Sequence, residues 1–243
     1  MLELKNVTKA YNKGDVKAVD SLSMTVNDGE IFGFLGPNGA GKTTSIRMLT
    51  GILQPDEGEL LLDGISIKER PIAAKRTFAF VPDNPETFSR LKAIEYLDFI
   101  SDVYKIPQEE KMERIKTYCE KFGMMENLDS RIASFSHGMK QKIFLIASLI
   151  TDPKNWILDE PMVGLDPEAA FTIKEIMRER AAAGKTIFFS THVMEVAEKL
   201  CDRIGIIRKG QLIFTGTLDE LMKNHGKGCK SLGDVFLKLI AEN

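Results

Sequence analysis

The sequence predicts an α/β fold interrupted by a helical insert, and three observations predict it. An apolar pentapeptide, Ile31-Phe32-Gly33-Phe34-Leu35, runs into the glycine-rich stretch Gly36-Pro37-Asn38-Gly39-Ala40-Gly41-Lys42-Thr43 and then into a helical pattern over 42–53. Residues 84–152 carry helical periodicity instead of alternation. From Trp156 onward, short apolar runs and helical patterns alternate again. Strands alternating with helices argue for a mostly parallel sheet covered on its faces.

The elements follow in order. Leu2, Leu4 and Val7 suggest a strand over 2–11, and Val19, Leu22, Met24 and Val26 a second over 17–26. Asn27-Asp28-Gly29 is a turn signal before the 31–35 strand. Leu60-Leu61-Leu62 with Asp63-Gly64 reads as strand and turn, so the opening third carries an antiparallel β portion. In the insert, Ile94, Leu97, Ile100 and Val103 share one face over 91–104. Met112, Ile115, Cys119 and Phe122 share another over 108–122, and a third helix covers 138–150. Pro107 and Gly123 punctuate these helices, whose Met and aromatic residues read as core. Then come a strand at 156–158, a helix over 167–182 with Pro167 in its first turn, a strand at 186–190 and a helix over 193–200. A hairpin, 204–208 with 211–215, turns across Lys209-Gly210. Helices at 218–224 and 234–241 close the chain around a linker, His225-Gly226-Lys227-Gly228. The whole, 1–243, reads as one domain: a core of about 1–83 and 153–216, a helical insert of about 84–152 and a tail of about 217–243.

Composition narrows the function classes. At 243 residues, 43% hydrophobic and 28% charged, the chain can bury an ordinary soluble core. Its 33 basic side chains nearly balance 35 acidic ones, so a net charge of −2 offers no global attraction to nucleic acid, and no nucleic-acid partner is expected. Cys119, Cys201 and Cys229 match no metal spacing and read as reduced thiols. No signal peptide opens the sequence, and its longest apolar run, 143–150, is far short of a membrane span.

The glycine-rich stretch fits G-x-x-x-x-G-K-[ST] at every fixed position, in the strand–loop–helix setting that pattern requires. Its glycines let successive N–H groups turn toward one anion, and the helix N-terminus adds its positive dipole end. Gly36, Pro37, Asn38, Gly39, Ala40, Gly41, Lys42, Thr43 and Thr44 are therefore expected to hold a nucleotide. Lys42 is expected at the terminal phosphates and the Thr43 hydroxyl on Mg²⁺. The fold expected is thus a P-loop NTPase core with an N-terminal antiparallel β subdomain and an α-helical insert.

Downstream, Asn155-Trp156-Ile157-Leu158-Asp159-Glu160 places two carboxylates at the end of a buried strand, where ligands of α/β sheets sit. Asp159 is expected to hold Mg²⁺ through water and Glu160 to activate an attacking water. Ser190-Thr191-His192 ends the next strand, 33 residues after Asp159, so His192 is expected to face the same crevice and sense the γ-phosphate. Phe135-Ser136-His137-Gly138-Met139-Lys140-Gln141 opens an apolar helix with a capped turn, a second anion site. One phosphate loop already satisfies one triphosphate, so this second site reads as the lid over another subunit's nucleotide.

With these motifs in order, together with Gly164-Leu165-Asp166, the chain resembles the ATP-binding subunit of an ABC transporter of the bacterial ABC-2, drug-exporter-like type. The resemblance runs from about Leu2 to Gly216 and continues more weakly beyond. It implies two subunits closing head-to-tail on two ATP molecules, each held by one chain's phosphate loop and the other's Ser136, His137 and Gly138. It places Tyr11 on adenine, Asp166 at the dimer interface, Thr43 and Asp159 at Mg²⁺, and Glu160, His192 and Lys42 in catalysis. It implies a homodimer or pairing with a paralogous subunit, docked on a separate integral membrane permease at the cytoplasmic face of the cell membrane, with Phe88 and Leu91 in the docking region. The segment 231–237, similar to a tail of bacterial exporter subunits, favours export.

Two departures matter. Asp83 stands where the family has glutamine; it is expected to contact Mg²⁺, although its charge would repel a nearby γ-phosphate. His137 replaces a glycine of the signature turn, where it either adds positive charge near the partner's γ-phosphate or turns to solvent. A soluble non-transport ABC ATPase, in cofactor assembly or on ribosomes or DNA, is the alternative function. A phosphate-loop kinase is a third, but it leaves the signature turn and His192 unexplained.

Overall fold

The computed structural model describes residues 1–11, 16–84, 88–229 and 231–241. Strand β1 (Leu2–Tyr11) buries Leu2, Leu4 and Val7. That spacing breaks strict alternation because the register to β2 (Val16–Val26) shifts between Leu4 and Val7, where Asn6 takes φ +50°. The extra residue of this irregularity carries Val7 back to the core face. With β4 (Glu57–Leu62) and β5 (Ile65–Ser66) these strands form an antiparallel sheet in the order β2-β1-β4-β5. Asp63 and Gly64, both at positive φ, make its tight turn.

The second sheet contains β3 (Ile31–Leu35), β6 (Phe78–Val81), β7 (Asn155–Leu158), β8 (Thr186–Thr191), β9 (Arg203–Arg208) and β10 (Gln211–Gly216). Its order is β10-β9-β3-β8-β7-β6; only the β9–β10 hairpin pairs antiparallel. The central strands are buried on both faces, which is why they read as continuous apolar runs. Alternate side chains enter different cores: Phe32, Phe34 and Phe188 face α1 (Lys42–Leu49) and the antiparallel sheet, whereas Ile31, Ile187 and Phe189 face the helical side.

The helical layer comprises α3 (Ala93–Val103), α4 (Gln108–Lys121), α5 (His137–Ile150) and α6 (Pro167–Ala182). Leu97, Ile115, Cys119, Phe122 and Phe144 are buried there, with Ile94 and Ile100 packed against them. Asp166 caps α6 by accepting from Ala169 N at 2.8 Å, and Pro167 follows in the first turn. A third cluster seats α7 (Met194–Leu200), α8 (Leu218–His225) and α9 (Leu232–Ala241) against Leu35, Ile204 and Ile206.

Some expectations differ from the structure. The helix expected over 42–53 stops at Leu49, since Thr50 caps it and Gly51 takes φ +67°, a conformation the helix cannot continue through. Val103 and Met112, read as core, are exposed; the buried faces of their helices run through Ala93, Leu97 and Ser101 and through Lys111, Ile115 and Cys119 instead. His225 belongs to α8 rather than to a linker. Leu91 is partly buried against the helical core, while Phe88 is exposed and stacks on Tyr96 at 5.1 Å between ring centroids. The sequence pattern does not resolve β5 or α2 (Pro71–Lys75), which are too short for a period to register. The three cysteines are free thiols, and burial pushes Cys119 up to about 11.

Candidate nucleotide site

Parallel pairing brings the functional segments to one edge. Leu35 stands opposite Thr191, Leu158 opposite Phe189, and Val81 opposite Leu158. The residues that follow these strands, Gly36, His192, Asp159 and Asp83, therefore leave the sheet on the same side. This is the carboxyl edge at which open α/β sheets bind ligands.

The loop after β3 has glycine where its packing demands it. A Cβ at Gly36 would collide with the Ile207 carbonyl oxygen of β9, and one at Gly41, which takes φ +112°, would lie 2.5 Å from the Ala18 carbonyl oxygen. Gly210 N donates to Ala40 O at 2.9 Å, tying the loop to the β9–β10 turn. Lys42 is buried; its Nζ donates to Gly36 O at 2.7 Å and Pro37 O at 3.3 Å, curling back over the loop. A cleft opens here, lined by Ala18, Pro37, Asn38, Gly39, Gly41, Lys42, Thr43, Thr44, Asp83 and Glu160.

The acids sit opposite. Asp159 is 2% exposed and accepts from Ser190 Oγ at 2.6 Å. Burial pushes its carboxyl above the ordinary range; hydrogen bonds from Ser190 and Thr43 oppose that, the Asp83 charge adds to it and Lys42 pulls the other way. Glu160 adopts φ +48°, rare for a residue with a side chain, and its N–H donates to the same Ser190 Oγ at 3.0 Å. Its carboxylate bridges two cations or potential cations: Oε1 is 3.7 Å from Lys42 Nζ, and Oε2 is 3.0 Å from His192 Nδ1.

The structure thus brings Gly36 to Thr44, Asp83, Asp159, Glu160 and His192 together. Tyr11 ends β1, half exposed and outside the lining of this cleft. Ser136, His137, Gly138 and Asp166 are also outside it. Ser136 caps α5 by accepting from Met139 N at 3.3 Å. Asp166 forms an ion pair with Lys142 at 2.6 Å, and that ammonium holds its carboxyl below the ordinary range. Sequence reading missed Ser190 as the hydroxyl joining both acids and Lys142 as the partner of Asp166, because each contact crosses 20 or more residues of chain. The serine in Ser190-Thr191-His192 was a legible signal only as a strand end.

The donor set fits Mg²⁺ rather than a softer ion: the Thr43 hydroxyl, the buried Asp159 carboxylate and Asp83 are all hard oxygens. Among the described residues no group of three or more His, Cys, Asp and Glu could hold a metal alone.

Comparisons with known proteins agree with this geometry. The family model "ABC transporter" matches residues 19–163. The chain is 32% identical over its full length to the ABC-type transporter ATP-binding protein EcsA of Bacillus subtilis, covering 98% of that protein. It is 36% identical to the linearmycin resistance ATP-binding protein LnrL of the same organism, across 98% of this chain and 74% of the relative. Of two ABC transporter ATP-binding relatives, from Synechocystis and Nostoc, it spans 65% and 66% of the length. A solved ATP-binding subunit of an ABC transporter superposes with a TM-score of 0.93 at 31% identity, covering 98% of this chain and 99% of the other. The chain belongs to the ABC transporter family, as one of its ATP-binding, ATP-hydrolysing subunits.

Proposed function

We propose that this subunit closes head-to-tail with a second cassette, itself or a paralogue, and that each closed pair of half-sites hydrolyses one Mg²⁺-ATP. The observation that carries the reading is the position of Glu160 between Lys42 and His192 at the mouth of the phosphate loop, with the capped Ser136 turn outside that cleft. A protomer thereby holds the hydrolytic half of one site and an anion-binding turn suited to another.

In this mechanism the loop N–H groups from Gly36 to Thr44 hold the β- and γ-phosphates, and Lys42 swings from its loop carbonyls to the γ-phosphate. Thr43, Asp159 and Asp83 are the residues that would hold Mg²⁺, and the ion would supply neutralisation of charge on the phosphates. Glu160 takes the proton of the attacking water, and His192, hydrogen-bonded to Glu160, orients that carboxylate and meets the γ-phosphate. Tyr11 stacks on adenine. Ser136, His137 and Gly138 of one chain cap the nucleotide of the other, and Asp166 crosses the interface. We divide the chain into a RecA-like core of about 1–83 and 153–216, a helical insert of about 84–152 and a tail of about 217–243.

Closure drives export through a separate transmembrane permease, a direction supported by the resistance relative. No helix among the described residues is long and apolar enough to cross a membrane. We place the subunit peripherally at the cytoplasmic face. A groove lined by Ile72, Val103 and Tyr104 with Lys75, Arg76 and Lys105 supports docking of a permease helix beside the insert. The non-transport alternative has no observation in its favour.

The test is Glu160→Gln, which keeps shape and removes the base. With saturating ATP and Mg²⁺ it should run as a dimer in size exclusion and hydrolyse at least 100-fold more slowly. A variant that stays monomeric, in a parent whose activity per subunit is independent of its concentration, refutes the shared site.

A further inference from the structure

The first turns of α5 are clamped onto the loop that follows Glu160. A Cβ at Gly164 would collide with the His137 ring at Cδ2 and lie 3.2 Å from Nε2, so the imidazole rests directly on this glycine. Gly138 has its own missing Cβ filled by the Gly164 carbonyl oxygen. Gln141, fully buried, donates from Nε2 to Pro161 O at 3.5 Å, and Lys142 pairs with Asp166 at 2.6 Å. Positions 137, 138, 141 and 142 form one helix face. That face grips both ends and the middle of the segment from Pro161 to Asp166.

We propose that His137 is a positioning residue, holding the Ser136 turn in register with the Gly164 loop and, through that loop, with the Glu160 carboxylate. The inference rests on the shared-site reading above. His137 is exposed, as one of the two expectations for it had it, but one edge of its ring lies against Gly164. Glu160 starts the loop in a left-handed conformation, with its carbonyl accepting from Val163 N at 3.2 Å. A shift at Gly164 therefore reaches the acid through four residues of tight turn. Anything that moves the Ser136 turn, including a nucleotide seated on it, moves the acid of this chain's own site.

A double-mutant cycle tests this. Gly164→Ala drives a methyl into the imidazole, whereas in a His137→Gly background only the strain of alanine at φ +78° remains. The readouts are kcat and KM for Mg²⁺-ATP, with thermal melting of the same four proteins. Gly164→Ala should lower kcat at least tenfold more in the parent than in His137→Gly, with KM changed less than threefold. Equal effects in both backgrounds overturn the proposal. So does coupling seen only in melting temperature, since that marks a packing contact without positioning. If the Gly164→Ala proteins turn over too slowly to measure, ATP-driven dimerisation in a Glu160→Gln background replaces kcat as the readout, with the same two outcomes. Failure of the cycle while Glu160→Gln still dimerises leaves the shared site standing; failure of that dimerisation removes the shared site itself.

Discussion

Replacing Ser190 with alanine removes one hydroxyl that serves two acids. Its Oγ donates to Asp159 at 2.6 Å and accepts from the Glu160 N–H at 3.0 Å, and the residue is fully buried, so bulk water cannot substitute. A hydrogen bond to a charged group is worth about 1.5–3 kcal/mol, and a buried N–H left without a partner costs about 1–3 kcal/mol. The two losses share one atom and do not add fully, so about 2–4 kcal/mol of stability is expected to go. For a chain of this size that is roughly 4–16 °C of melting temperature. The catalytic effect follows from backbone geometry. Glu160 is held at φ +48° partly by this hydroxyl, and release lets its carboxylate leave the line between Lys42 and His192. General-base catalysis contributes roughly 10²–10⁴-fold, and a misplaced base loses part of it, so kcat should fall about 10–100-fold. KM for ATP should stay within about threefold, because the phosphate loop is untouched. Phosphate release at saturating Mg²⁺-ATP measures the first effect and thermal melting the second, with Ser190→Thr as the hydroxyl-retaining control. A Ser190→Ala enzyme whose kcat stays within a factor of two of the parent would show that Oγ does not position the base.

Other perturbations separate binding, stability and charge. Asp159→Asn should raise the melting temperature of the metal-free protein at neutral pH while abolishing hydrolysis. The folded state holds the Asp159 proton more tightly than the unfolded chain, so its ionisation costs stability as pH rises above the ordinary carboxylate value of 3.8. A lower melting temperature in EDTA would contradict this. Asp166→Asn keeps the cap on Ala169 but loses the Lys142 ion pair. Because Lys142 depresses the Asp166 carboxyl, the stabilisation is complete above pH 3.8 and is lost as pH falls below it. The melting difference between parent and variant should therefore shrink on acidification, and a constant difference would rule out the ion pair as its source. Gly36→Ala pushes a methyl into the Ile207 carbonyl oxygen, and overpacking of this kind costs about 1–3 kcal/mol. Weaker binding of a fluorescent ATP analogue should accompany the lower melting temperature; unchanged affinity would mean the loop tolerates the shift.

The sequence was most legible where structure is local. The strand–loop–helix run through Lys42, the capped turn at Ser136 and the Asp166-Pro167 start of α6 are written in neighbouring residues, since caps, glycine dihedrals and apolar periods act within a few positions. It was least legible in β5 and α2, which hold too few residues to show a period, and at Val103 and Met112, where the buried face of each helix runs through other positions.

Sequence alone determined that this chain has a phosphate-loop pattern, a strand ending in two acids and a serine-capped turn opening an apolar helix, because each is encoded by residue types at fixed short spacing. Only the tertiary structure decided that Ser190 joins Asp159 to Glu160, that Glu160 lies between Lys42 and His192, and that His137 rests on Gly164. Those contacts depend on which strands lie side by side and in what register. That choice is made by burying both faces of the sheet together, a global condition no short stretch of chain contains.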